Sequence, residues 1–185
     1  MRSGKDKIES VISYMKKLES IDTHTDNGEC WGLVYRYDSC VDEIIDRVAK
    51  IYMQKNSVSS TTFPSISLIE RELISICNKL MHGKRSNVGC VTSGATESNF
   101  LALKAYRDRA WHERGKNQYE VMLPQSAHPS FHKAAHDLDL ITIDIPIQEN
   151  IWAINISQFT ELLSDKVIAV VLSAPSYIYG KIDPI

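Results

Sequence analysis

The chain has 185 residues, enough for one domain with a real core, and its 21 basic and 23 acidic side chains leave a formal net charge of −2. Acids and bases are interspersed, so there is no basic face of the kind nucleic-acid binding needs. No apolar run reaches the ~20 residues of a membrane span, and Cys30, Cys40, Cys77 and Cys90 make no CxxC pair and follow no secretory signal, which predicts free thiols in a soluble cytoplasmic protein.

Ile8, Val11, Ile12, Met15 and Leu18 recur at helical spacing and predict a helix over 5–20. The polar stretch 21–38, with "THTDNGEC", reads as a loop. "VDEIIDRVAKIYMQK" (41–55) is helical again, with Ile44, Ile45, Val48 and Ile51 on one face. "NSVSSTTFP" (56–64) is an irregular connector. Ser67 followed by Glu70 has the form of a capping box, and the helix it opens should run to His82 and stop at Gly83 in the C′ position.

From there the rhythm changes. "NVGCVTS" (87–93) reads as a strand, 96–114 as a helix closed by Gly115, "YEVMLP" as a strand and 129–138 as a helix. "LITIDI" is a strand, "SQFTELLS" a short helix, and "KVIAVVLSA" a strand with almost no polar residues. Such alternation predicts an α/β fold: a parallel-rich sheet covered by helices, preceded by a helical segment. Ligands of such sheets bind at the carboxyl ends of the strands.

Three strand ends carry chemistry. "TSGAT" (92–96) lies between a strand and a helix start, where unpaired N–H groups and the positive end of the dipole attract a phosphate. Gly94 and Ala95 leave room for close approach, while Ser93 and Thr96 offer hydroxyls. The pattern is neither GxGxxG nor GxxxxGK[ST], so one small phosphomonoester fits better than a nucleotide; an ordinary N-cap with Glu97 favouring the dipole is the other reading. Pro129 suits a first helical position and puts His128 at the cap, on the same sheet edge. His128, His132 and His136 are spaced by four, but no HExxH or third ligand accompanies them, so no metal site is expected. Asp183 before Pro184 is either a turn residue or a carboxylate aimed at a ring nitrogen, which would keep a pyridine protonated as an electron sink. A phosphate turn, a stacking imidazole and an acid at successive strand ends suit pyridoxal 5′-phosphate.

At this point the sequence resembles a known group. "TSGATESNFLALKAYRDRA" is similar to the "TSGGTES" phosphate segment of fold-type I pyridoxal-phosphate enzymes in the group II decarboxylase superfamily. "KAYRDRAWHERG", "LPQSAHPSFHKAA" and "SAPSYIYGKIDPI" bring it closer to the sphingosine-1-phosphate lyases. So do "WGLVY", similar to their "SGAVY", and "TTFPSISLIERELISICNKL", similar to their "FPSVRKMEAEVV" helix. The likeness runs collinearly from about residue 26 to the end.

The resemblance implies pyridoxal phosphate as cofactor, with Gly94, Ala95 and Thr96 at its phosphate, His128 stacked on its ring and Asp183 on the ring nitrogen. It implies Tyr35 and Asn56 on the substrate side, in a site shared across a homodimer. The implied reaction is retro-aldol cleavage of a phosphorylated long-chain amino alcohol to a fatty aldehyde and phosphoethanolamine. It places residues 1–64 as a helical and loop segment and 65–185 as the N-terminal part of the cofactor-binding large domain.

Two departures stand out. "NSVS" (56–59) replaces the usual "NPLH", so Ser59 stands where a His is expected and leaves the substrate open. The family's Schiff-base lysine follows the aspartate by a few tens of residues, and Lys181 precedes Asp183, so no catalytic residue is expected within this chain. The expectation is an incomplete fold that needs a complementing C-terminal chain. The alternatives are a pyridoxal-phosphate amino-acid decarboxylase, a non-catalytic remnant or interaction protein, and a metal-binding module built on the histidine row.

Overall fold

A computed structural model describes residues 4–25, 28–29, 38–148 and 150–185. The chain divides into two compact units, residues 1–69 and 70–185.

The first unit is helical. Helix α1 (Gly4–Glu19) carries Asp6 in its first turn and Lys16 and Lys17 in its last, which complements the helix dipole. Helix α2 (Ser39–Tyr52) starts at Asp38, whose carboxylate accepts from the Cys40 N–H at 3.2 Å. That bond, with help from Ser39, holds the Asp38 carboxyl below its usual range. The apolar rows of both helices, Ile12 and Val48 among them, face solvent in this chain. The connector after α2 is built from local side-chain caps: Asn56 Oδ1 accepts from the Val58 N–H at 3.1 Å, and Ser59 Oγ accepts from the Thr62 N–H at 3.2 Å.

Helix α3 (Pro64–Leu80) begins three residues before Ser67. The expected capping box is therefore not formed. Proline supplies the first helical residue, and the Glu70 carboxylate accepts from the Val91 N–H at 3.0 Å instead. At the other end His82, at φ 52°, takes the left-handed position expected of Gly83. The His82 N–H donates to the Lys79 carbonyl at 3.2 Å and the Gly83 N–H to Asn78 at 2.8 Å, a Schellman closure with Gly83 one place later. Gly83 is there for room, since a Cβ would fall 1.8 Å from Asn78 Oδ1.

The second unit is a helix-covered parallel sheet. Strands β1 (Glu120–Pro124), β2 (Ile141–Ile145) and β5 (Val167–Val170) pair in the order β2-β1-β5, both pairings parallel. Val121, Met122 and Leu123 of the central strand are wholly buried. Alternation splits them between two layers. Val121 and Leu123 join Leu103 and Ala110 of α4 (Ala95–Arg114) and Ala134 and Ala135 of α5 (Pro129–Asp137). Met122 joins Ile145 and Ile154, against Phe159 and Leu162 of α6 (Ile156–Leu162). A two-residue hairpin, β3 (Ile147–Gln148) with β4 (Ala153–Ile154), gives no periodic signal in the sequence.

The expected strand at 87–93 is not formed among the described residues. The stretch looks like a strand in sequence, yet no strand among the described residues pairs with it, and Val88 and Val91 are exposed. A strand is defined by its neighbour, and here the Val91 N–H goes to a side chain.

Candidate functional site

Helix α4 starts at Gly94, which offers no side-chain cap. The N–H groups of Ala95 and Thr96, in the first turn, thus have no helical acceptor. The surrounding hydroxyls stiffen the turn from behind. Thr92 Oγ1 donates to the Gly94 carbonyl at 3.0 Å and lies 2.6 Å from Ser98 Oγ. Glu97 reaches back, its Oε2 accepting from Ser93 Oγ at 2.6 Å and from the Ser93 N–H at 2.8 Å. These two bonds, the hydroxyl first, hold the Glu97 carboxyl below its usual range. Gly94 has φ 168°, extended backbone open to any residue, and a Cβ there would meet nothing within 4 Å. The chain itself does not require glycine at this position, and the space beside it is open.

His128 caps α5, its ring accepting from the Ser130 N–H, and Pro129 holds the first helical position as expected. Ser130 is buried, and its hydroxyl lies 2.8 Å from His128 Nδ1 and accepts from Asn99 Nδ2 at 2.8 Å. Asn99 sits just past the first turn of α4, so this bond ties the start of α4 to the His128 cap. Across the ring, Tyr177 packs at a centroid distance of 5.4 Å and a 59° tilt. Tyr177 belongs to the segment after β5 that ends at Asp183.

Asp183 is buried at 6% exposure. Its Oδ2 accepts from the Ser173 N–H at 2.7 Å, and its own N–H donates to the Ser173 carbonyl at 2.9 Å. No hydrogen bond from the described residues reaches Oδ1. Within the segment, Ser176 N–H bonds Lys181 carbonyl at 2.7 Å and Gly180 N–H bonds Ser176 carbonyl at 2.9 Å. The Tyr179 ring stacks on Trp152 of the hairpin at 4.5 Å and 18°.

Asn99 of α4 thus reaches the His128 cap through Ser130, and Tyr177 of the segment that carries Asp183 packs on the His128 ring. A cleft of about 320 Å³ between α4 and α5 is lined by Thr96, Ser130 and Lys133 among others. Asn56 lies in the first unit with its side chain in a local turn, and Tyr35 lies outside the described residues. His132 and His136 lie further along α5, His136 exposed. Asn99, Ser130 and Tyr177 were not singled out in the sequence. Ser130 was within reach: once His128 is the cap, the residue two places on is its backbone donor.

A parallel sheet covered by helices is the architecture of fold-type I pyridoxal-phosphate enzymes, and the neighbours of this fold are of that class. A sphingosine-1-phosphate lyase from Burkholderia pseudomallei superposes with a TM-score of 0.86 at 26% identity, over 100% of this chain and 44% of that one. A glutamate decarboxylase from Lactobacillus brevis superposes with a TM-score of 0.71 at 16% identity over 99% of this chain and 42% of that one, a likeness of fold. The curated relatives are sphingosine-1-phosphate lyases. That of Rattus norvegicus is 31% identical over 95% of this chain, and that of Dictyostelium discoideum 29% identical over 97%. The chain spans 30% and 34% of their respective lengths. No family model matches the chain.

Proposed function

We propose that the chain supplies the cofactor side of a pyridoxal-phosphate-dependent carbon–carbon lyase that cleaves a phosphorylated long-chain amino alcohol to a fatty aldehyde and phosphoethanolamine. One observation supports this reading most: the contacts Asn99–Ser130, Ser130–His128 and His128–Tyr177 link the start of α4, the cap of α5 and the segment that carries Asp183. The likeness to sphingosine-1-phosphate lyases supports the substrate class.

In this reading the N–H groups of Ala95 and Thr96 bind the phosphate, with Gly94 leaving room for it. His128 orients the pyridine ring by stacking, and Asp183 Oδ1 holds a proton on the ring nitrogen. Bound pyridoxal phosphate supplies an electron sink for the bond that breaks. Residues 65–185 form the cofactor-side domain. Tyr35 and Asn56 contribute to the substrate side of a dimer in the cytoplasm. Lys181 precedes Asp183 and is exposed, and it is not proposed as the Schiff-base lysine.

The test is to titrate the 185-residue chain with pyridoxal phosphate, then repeat with the polypeptide equivalent to the remainder of a lyase relative. The chain alone should bind reversibly and release no aldehyde from a phosphorylated long-chain base; the completed protein should release it. A completed, folded protein that binds no pyridoxal phosphate overturns the assignment.

A further inference from the structure

We propose that Asn99 and Ser130 are positioning residues that lock His128 as the Nε2-protonated tautomer and fix the plane of its ring. The inference rests on the reading above for its purpose, but on geometry for its content. The amide nitrogen of Asn99 has only hydrogens to give, so Ser130 Oγ, 2.8 Å away, accepts from it. The hydroxyl hydrogen of Ser130 is then free for its other neighbour, His128 Nδ1 at 2.8 Å. The Ser130 backbone N–H points at the same ring nitrogen from 3.2 Å, and a backbone N–H can only donate. Two donors converge on Nδ1, so Nδ1 carries a lone pair and the ring hydrogen sits on Nε2.

The arrangement has the parts of a device for orientation. Ser130 is 6% exposed, so its hydroxyl is directed by Asn99 rather than by water. His128 itself is exposed, held along its Nδ1 edge and flanked by Tyr177, which leaves a ring face for a ligand. A neutral imidazole presents an electron-rich face to a pyridine kept protonated by Asp183, where an imidazolium would meet it with like charge. Because Asn99 is on α4 and His128 caps α5, the same two bonds couple the ring plane to the helix start that faces the phosphate.

The experiment is long-range nitrogen–proton correlation spectroscopy on the cofactor-free 185-residue chain, with the His128 signals assigned by their loss in H128Q. The unsubstituted chain should show Nε2 as the protonated nitrogen and Nδ1 as the bare one. Asn99→Asp replaces the donor with an acceptor that captures the Ser130 hydroxyl hydrogen. It should move His128 toward the other tautomer or a mixture, as should Ser130→Ala, while Ser130→Thr should keep the original signals. In a parallel titration with pyridoxal phosphate, Asn99→Asp and Ser130→Ala should bind about fivefold more weakly, the loss of one hydrogen bond's orienting effect. A His128 protonated on Nδ1 in the unsubstituted chain, or tautomer signals untouched by Asn99→Asp, would sink the proposal. A tautomer that shifts as expected in a chain that binds no pyridoxal phosphate leaves the relay standing and removes the cofactor reading instead.

Discussion

Asp183 and Ser173 clasp each other across ten residues: the carboxylate accepts from the Ser173 N–H at 2.7 Å, and the Asp183 N–H returns a bond to the Ser173 carbonyl at 2.9 Å. One oxygen of the carboxylate is structural, and the proposed function gives the other to the cofactor. The two uses separate by substitution. Asp183→Asn keeps a carbonyl oxygen for Ser173 but loses the charge, so the fold should persist while pyridoxal phosphate binding weakens by about tenfold or more. Asp183→Ala also strands the Ser173 N–H and should cost about 1–3 kcal/mol of stability. Urea unfolding beside cofactor titration reads both; equal stability loss in the two variants would contradict the division.

The Glu97 carboxyl is held below its ordinary value of 4.5 by the Ser93 hydroxyl and then by the Ser93 N–H. A group whose folded pKa is depressed contributes stability above its unfolded pKa and loses that contribution as pH falls through the folded value. The first turn of α4 should therefore be tight at neutral pH and loosen in acid below about 4.5. Exchange of the Ser93 amide against pH tests this. Glu97→Gln should flatten the profile, and a Ser93 amide indifferent to acid in the unsubstituted chain would count against the bond.

Leu123 is wholly buried among α4 and α5 side chains, on the strand that sits between both neighbours. Leu123→Ala should cost about 2–5 kcal/mol, from lost transfer energy and the cavity left behind. Ile12→Ala, on the exposed row of α1, should change the stability of the same chain by less than about 0.5 kcal/mol. A chemical melt of the two variants compares them directly.

What was legible in the sequence follows from what each signal depends on. β1 was readable as a short, buried apolar run, β2 from the alternation of Ile141, Ile143 and Ile145, and β5 from its apolar run, while α4 and α5 were readable because Gly115 and Pro129 mark their ends. The site positions were chosen on the rule that ligands of such sheets sit at strand ends, and the stretch before Gly94 forms no strand among the described residues. The strand expected at 87–93 failed because pairing is not a property of the segment, and no neighbour accompanies it. The capping box at Ser67 and Glu70 failed because Pro64 starts α3 earlier and Glu70 has a distant partner in Val91. The Asn99–Ser130 bond spans 31 residues, and nothing local announces it.

Asp139 shows the same limit at a helix end. It takes φ 55°, with its N–H on the His136 carbonyl and the Leu140 N–H on the Ala135 carbonyl at 2.9 Å, closing α5 with a left-handed residue that is not glycine. Asp139→Gly removes the steric penalty of that conformation and should stabilise the chain by about 1 kcal/mol. A lower midpoint of thermal unfolding would show that the Asp139 side chain does something glycine cannot.

The segment from Ser173 to Asp183 is held at its base by the clasp and along its length by Trp152, whose ring stacks on Tyr179 at 4.5 Å and 18°. The hairpin that presents Trp152 packs Ile154 under the sheet beside Met122, so the stack joins the segment to the core. Tyr177 in the same segment flanks His128, so looseness here reaches the His128 ring. An aromatic pair contributes about 0.5–1.5 kcal/mol beyond its buried area, which corresponds to an opening equilibrium changed by about two- to tenfold. Trp152→Ala should accelerate exchange of the Ser176 and Gly180 amides, which close the segment on Lys181 and Ser176, by that factor. The Val171 amide, bonded to Met122 in the sheet at 2.9 Å, should be unaffected and serves as the internal control. Trp152→Phe should restore most of the protection. Acceleration shared equally by Val171 would mean that Trp152 supports the whole sheet, and no acceleration at Gly180 would mean that the clasp alone holds the segment.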